Sequence, residues 1–294
     1  MPTSSRGLMR ASAPTRKIDA TSRSGTIKVT PVIVGDDAHI VPWADEGISP
    51  YKGDGNDARI YGATMLRIDD LTIEYPDGTR AVDSVSFAVN AGENVAIIGA
   101  NGAGKTSLLL SLVGVLPPIG GEVCVGEITL GKGNLREARS KIGLVFQNPD
   151  DQLFMTSIFE DVAFGLRSYG MGEDETVALV NSTLDSLGIG HLARRSPLKL
   201  SGGEKRLAAI ATVLAMKPDF LLFDEPTAFL DPRARRALKL TLSKLPQGKL
   251  IATHDLSFAM EMCSRALLLQ DGKLIADEGI DLLQDMERLE AAGL

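Results

Sequence analysis

Gly99-Ala-Asn-Gly-Ala-Gly-Lys-Thr106 follows directly on the apolar run Val95-Ala96-Ile97-Ile98, and the segment from Lys105 to Val113 has the composition of a helix. The apolar run has the length and composition of a buried strand. A glycine-rich turn beside a lysine would account for part of this pattern. The complete eight-residue loop, set between a strand and a helix, is what phosphate binding requires. Gly99, Gly102 and Gly104 let the backbone turn tightly and aim its N–H groups at phosphate oxygens, while the helix adds its positive N-terminal end. Ala100, Asn101, Ala103 and Ser107 complete the expected nucleotide cradle. Lys105 is expected to reach the β- and γ-phosphates, and Thr106 to offer Mg²⁺ an oxygen ligand. The loop therefore predicts binding of ATP with Mg²⁺.

Two further stretches specify the kind of nucleotide site. Phe220-Leu-Leu-Phe-Asp224-Glu225 ends an apolar run on two carboxylates. Asp224 is expected at the carboxyl end of a core strand, where ligands bind in doubly wound sheets, as a direct or indirect Mg²⁺ partner. Glu225 is the natural general base for the attacking water. Leu200-Ser-Gly-Gly-Glu-Lys-Arg206 opens a predicted helix, so that Ser201, Gly202 and Gly203 present a hydroxyl, unhindered backbone and a helix N-terminus. Other residues carry less on their own. Tyr75 alone would be an ordinary strand aromatic, His254 a structural histidine, and Ser-Gly-Gly a loop signal. His254 gains weight from its place just after the apolar run Leu250-Ile251-Ala252.

From about Met65 to Leu294 the chain resembles the nucleotide-binding subunit of an ATP-binding-cassette (ABC) transporter, with every expected motif in order. The resemblance implies an α/β fold: an ABC-type P-loop ATPase core with an antiparallel β subdomain and an inserted α-helical subdomain at about 150–215. It implies that Tyr75 stacks on adenine and that Gln147 senses Mg²⁺ and the transmembrane partner. Asp231 would signal across a dimer, and His254 would contact the γ-phosphate. It also implies that the 200–206 signature of one subunit closes over the ATP held by another, in a homodimer or a heterodimer with a paralogous ATPase.

A finer resemblance lies in Gln147-Asn-Pro-Asp-Asp-Gln-Leu-Phe154, which is similar to the ATPase of energy-coupling-factor importers, especially the cobalt or nickel type. Glu160-Asp-Val-Ala-Phe-Gly165, Ala211-Thr-Val-Leu-Ala-Met216 and the stretch from Leu282 to Leu294 point the same way. In those importers this region helps form a groove for a coupling helix of an integral membrane scaffold, which works with substrate-binding membrane subunits. Arginines of the scaffold would meet Asp150 and Asp151. The other reading of Pro149-Asp-Asp is a polar turn. One departure is Phe229, where many relatives carry a smaller residue. The chain also lacks the additional C-terminal segment of some vitamin-importing relatives, which favours the shorter metal-importer type.

Composition agrees. The chain of 294 residues carries a net charge of −7, and residues 65–294 hold 23 basic and 31 acidic residues. That balance argues against nucleic-acid binding. Cys124 and Cys263 are expected to be small core residues rather than a metal or disulfide pair. No apolar stretch approaches the ~20 residues needed to cross a bilayer, so a place at the cytoplasmic face of the membrane would come through partners. Strands are predicted near 65–75, 81–89, 94–98, 122–125, 141–145, 220–224, 249–252, 266–270 and 273–278. Helices are predicted near 105–113, 157–164, 173–187, 203–215, 232–244, 256–263 and 280–291. Asp271-Gly272 predicts a tight hairpin. Residues 1–64 read as a flexible extension or a start site assigned upstream of Met65, with a basic, Ser/Thr-rich transit segment as the alternative. The alternative functions are a soluble ABC-type ATPase, as in iron–sulfur cluster assembly, and a vitamin-importing energy-coupling-factor ATPase. Only 94 residues separate Lys105 from Leu200, which leaves no room for the long coiled coil of DNA-repair ATPases.

Overall fold

Apolar residues run almost unbroken along the central strands, and the computed structural model, which describes residues 65–294, shows why. In chain order the elements are β1 (Met65–Glu74), β2 (Arg80–Asn90), β3 (Asn94–Ile98), α1 (Lys105–Leu112), β4 (Gly120–Val125), β5 (Ile128–Thr129) and α2 (Leu135–Lys141). There follow β6 (Ile142–Val145), α3 (Ile158–Ser168), α4 (Glu173–Ser186), α5 (Gly202–Leu214), β7 (Phe220–Asp224) and α6 (Pro232–Leu242). The last are β8 (Gly248–Ala252), α7 (Leu256–Met262), β9 (Arg265–Gln270), β10 (Lys273–Gly279) and α8 (Met286–Ala291).

One sheet has the order β10-β9-β3-β8-β7-β6, and the other β2-β1-β4-β5. In the first, β9, β3, β8, β7 and β6 run parallel and β10 is antiparallel to β9. The second sheet is antiparallel. Successive strand residues point to opposite faces. Accordingly Ala96, Ile98, Leu221, Phe223, Ile251 and Leu268 join one core with residues of α3, α4, α5 and α7. Val95, Ile97, Leu222, Leu250 and Leu267 join another with α1 and the antiparallel sheet. A parallel strand covered on both faces is apolar at every position, which is why these strands were legible as continuous runs.

Three expectations are corrected. Helix α2 and the short β5 were not foreseen; α2 buries only Ala138 and so has no apolar stripe to detect. The expected helix 280–291 is two pieces. A 3₁₀ turn at Ile280–Gln284 gives way at Asp285, whose carboxylate accepts from Arg288 N at 3.2 Å and caps α8. The hairpin stands as expected: Asp271 and Gly272 take φ of 49° and 78°, the double left-handed turn that joins β9 to β10. The readings for residues 1–64 lie outside the described residues.

At the amino ends of β3 and β8, Lys249 is buried, donating to Leu245 O at 2.7 Å, Gln247 O at 2.9 Å and Asn94 Oδ1 at 3.3 Å. Burial pulls its ammonium down to about 8, while burial pushes the neighbouring Cys263 thiol up to about 12. Between pH 8 and 9 the unfolded chain holds the Lys249 proton and the folded chain has released it, so stability rises with pH, by up to about 1.4 kcal/mol per unit. Above pH 9 the sign for Cys263 is opposite, because the folded thiol keeps a proton that the unfolded one loses. Chemical denaturation from pH 7 to 9 should therefore show a rise that Lys249→Met abolishes; an equal rise in the variant would remove Lys249 as its source.

Candidate nucleotide site

The parallel strands β3, β6, β7 and β8 deliver their carboxyl ends to one edge, and the residues singled out in the sequence follow them: Gly99 after β3, Gln147 after β6, Glu225 after β7 and His254 after β8. The glycine loop has the conformation that phosphate binding needs. Gly102 and Gly104 take φ of 88° and 99°, which side chains rarely tolerate. A Cβ on Gly104 would collide with the carbonyl of Ala81, and one on Gly99 with the carbonyl of Leu269. Lys105 lies folded back on the loop, its Nζ 2.6 Å from Gly99 O and 3.0 Å from Ala100 O. Burial lowers its pKa, against the attraction of Glu225 and Asp224. Asn101 is exposed and Ala103 buried, with Ala103 N donating to Ala100 O at 3.1 Å. Tyr75, half-buried after β1, lies with its hydroxyl 2.9 Å from Ser107 Oγ.

Thr106 Oγ1 donates to Asp224 Oδ2 at 2.8 Å. Burial raises the Asp224 pKa, and the nearby Glu225 adds to this; the Thr106 bond, Lys105 and Arg206 oppose it. Glu225 is also buried, and its backbone is strained at φ 45°, a conformation that concentrates at functional sites. It is held firmly. Glu225 N donates to Ala252 O at 2.8 Å, and the carboxylate accepts from Thr253 Oγ1 at 3.1 Å and His254 N at 3.3 Å. His254 Nδ1 lies 2.9 Å from the other carboxylate oxygen. The imidazole itself is exposed. A buried carboxylate oriented by three groups, beside a hydroxyl–carboxylate pair and a phosphate loop, can take a proton from a water facing the loop.

The signature stands apart. Ser201 caps α5 in a capping box with Glu204, donating from its N and Oγ to Glu204 Oε2 at 2.8 and 2.7 Å. Among the described residues no hydrogen bond or ion pair ties Ser201, Gly202 or Gly203 to residues 99–107. Gly202 instead faces the loop before α6, where Phe229 O would lie 3.8 Å from a Cβ on it. Phe229 takes φ 63° and is 87% exposed, a strained setting for an aromatic. Asp231 caps α6, accepting from Arg233 N and Ala234 N at 2.8 Å each.

Three elements of the site went unread in the sequence. Thr253 holds Glu225, although it sits in plain view between a strand and His254. Arg206, quoted in the signature but given no role, donates to Phe146 O at 2.7 Å and Gln147 O at 2.6 Å. Lys205, also quoted without a role, pairs with Asp150 at 2.5 Å while that carboxylate stays 54% exposed; Asp151 is exposed and has no side-chain partner among the described residues.

Residues 82–228 match the family model for ABC transporters. The chain belongs to the ABC transporter family. It is similar to an energy-coupling factor transporter ATP-binding protein EcfA of Methanothermobacter thermautotrophicus, 42% identical over 78% of this chain and 76% of the relative. Among solved structures it resembles cbiO1 of Clostridium perfringens, part of the ABC transporter complex cbiONQ, with a TM-score of 0.67 and 33% identity over 77% of this chain and 93% of that one. It also resembles a dimeric ATP-binding cassette in a post-hydrolysis state with ADP and Pi, with a TM-score of 0.66 and 28% identity over 73% and 98%. This ABC protein is thus an ATPase subunit with the fold expected for one. No helix among its described residues is long and apolar enough to cross a membrane.

Proposed function

We propose that two copies of this chain, or the chain and a close paralogue, bind ATP between them and energise uptake of cobalt or nickel ions through separate membrane subunits, working at the cytoplasmic face of the membrane. The observation that carries the ATPase chemistry is the Glu225 carboxylate, fixed by Thr253 and His254 next to the Thr106–Asp224 pair. Glu225 takes the proton of the water that attacks the γ-phosphorus, and His254 orients that carboxylate and reaches the γ-phosphate from its exposed edge. Gly99 to Ser107 cradle the phosphates, and Tyr75 stacks on the adenine. Ser201, Gly202 and Gly203 cover the partner's nucleotide, which accords with their separation from this chain's own loop. Asp231 contributes across the same interface.

Thr106, Asp224 and Gln147 offer oxygen donors alone, which suits the hard ion Mg²⁺, since Mg²⁺ takes few protein ligands and completes its shell with phosphate and water. When bound, the ion neutralises phosphate charge. Coupling to membrane subunits is supported by an apolar groove of about 300 Å³ between the end of α1 and helices α3 and α5, lined by Val113, Val115, Tyr169, Val213 and Met216. Its size and lining suit one face of a helix. Asp151 is unpaired among the described residues and Asp150, though paired with Lys205, stays half-exposed, so both carboxylates face a scaffold arginine, Asp151 without a bond to give up. The metal-ion cargo rests on the resemblance of Gln147 to Phe154 to cobalt and nickel importers, and on the likeness to cbiO1.

The test is capture of membrane proteins with the tagged chain, together with uptake of radioactive cobalt and nickel. An integral membrane scaffold should co-purify, and deletion of the gene should lower uptake of one of the two ions. Val115→Asp, a change at the half-exposed rim of the groove, should keep the ATPase rate of the isolated subunit and cut scaffold capture about tenfold or more, because it buries a carboxylate in an apolar contact. Recovery without any membrane protein, and uptake unaffected by deletion, would instead favour the soluble ATPase.

A further inference from the structure

Helix α5 is fastened to the chain leaving β6 at several points along two turns. Arg206, 1% exposed, sends one guanidinium nitrogen to Phe146 O and another to Gln147 O. Gln152 closes the loop from the other side: its Oε1 accepts from Phe146 N at 3.1 Å, and its Nε2 donates to Ala209 O at 2.9 Å and Thr212 Oγ1 at 2.8 Å. At the surface Lys205 holds Asp150. Arg206 lies five residues past the helix cap Ser201, or roughly 7.5 Å along the axis. The guanidinium cannot slip from these carbonyls at low cost, since a buried charge without its partners is strongly unfavourable and both carbonyls would lose their donors.

We infer that Arg206 is a positioning residue that makes the signature end of α5 and the Gln147 segment move as one body, so that engagement of the partner's nucleotide by Ser201 sets the position of Gln147 at this chain's own nucleotide. The inference rests on the proposed roles of Gln147 and the signature. It gives the link between the two ATP sites a named contact, the Arg206 guanidinium, whose loss should weaken the cooperativity of hydrolysis. Lys205–Asp150 and Gln152 support the same grip from the rim.

The experiment uses the purified full chain and measures ATPase rate against ATP concentration, nucleotide affinity and melting temperature for the parent, Arg206→Met, Arg206→Lys, Lys205→Met and Gln152→Leu. The parent should hydrolyse ATP with a Hill coefficient clearly above ~1, toward the limit of two set by two sites. Arg206→Met should lower kcat about tenfold or more and bring the Hill coefficient to ~1, with nucleotide affinity within about twofold of the parent. Arg206→Lys, which restores the charge with a single point of contact, should recover part of both. Should Arg206→Met fail to fold, Lys205→Met and Gln152→Leu take its place, each expected to lower the Hill coefficient and to reduce kcat about threefold. Parental kcat and Hill coefficient in the folded variants would overturn the inference while leaving the ATPase reading intact. A parent that hydrolyses no ATP would overturn both, and a parent that hydrolyses ATP without cooperativity would overturn the link alone.

Discussion

Glu225→Gln should lower turnover by about a hundred- to ten-thousandfold, the range that one general base contributes, or roughly 3–5 kcal/mol of barrier. Folding should be spared. Glutamine keeps an oxygen to accept from Thr253 Oγ1, and its amide can donate to His254 Nδ1, so the bonds around residue 225 are largely kept. The loss of one negative charge also relieves the crowding beside Asp224, whose pKa is raised by burial and by Glu225, and it lessens repulsion of the ATP phosphates. ATP affinity should hold or improve, and an ATP-dependent dimer should appear on size-exclusion chromatography. A variant that hydrolyses ATP at the parental rate would remove Glu225 from the base role.

Ser201→Arg should lower hydrolysis about a hundredfold or more, comparable with the loss of a donor at a charged transition state, while the isolated subunit keeps its ATP affinity. The separation arises because Ser201 has no bond to residues 99–107 of its own chain and instead caps α5 through Glu204. The cap itself is worth about 1 kcal/mol, so the arginine costs some stability as well. Ser201→Gly is the control: glycine is nearly as good a cap, leaves the helix end open, and removes only the hydroxyl. Its rate should fall less than that of the arginine variant. Collapse of ATP binding to the isolated Ser201→Arg subunit would show that the signature serves the nucleotide of its own chain.

The glycine loop, the acidic strand end and the signature were legible because each is written in consecutive residues whose chemistry is local: glycine where φ is positive, a lysine and a hydroxyl at a helix start, carboxylates at the close of an apolar run. The strands of the parallel sheet were legible for a related reason, since burial on both faces leaves an unbroken apolar run. Helix α2 left no such trace, because one buried residue in seven makes no stripe. Phe229 stood out as a departure in the sequence, but its left-handed backbone and its exposure could be seen only in the fold.

By itself, then, the sequence determined the nucleotide chemistry and the order of the elements that carry it, since both depend on neighbours along the chain. The tertiary structure alone decided which groups hold those elements to one another. Thr253 fastens Glu225 across 28 residues, Arg206 grips Phe146 across 60, and Lys205 takes Asp150 across 55. Nothing local marks such pairs, because a hydrogen bond between distant segments depends on how the sheet orders its strands and how α5 lies against the end of β6. That placement also gives Asp150 a lysine partner within its own chain while leaving its side chain 54% exposed.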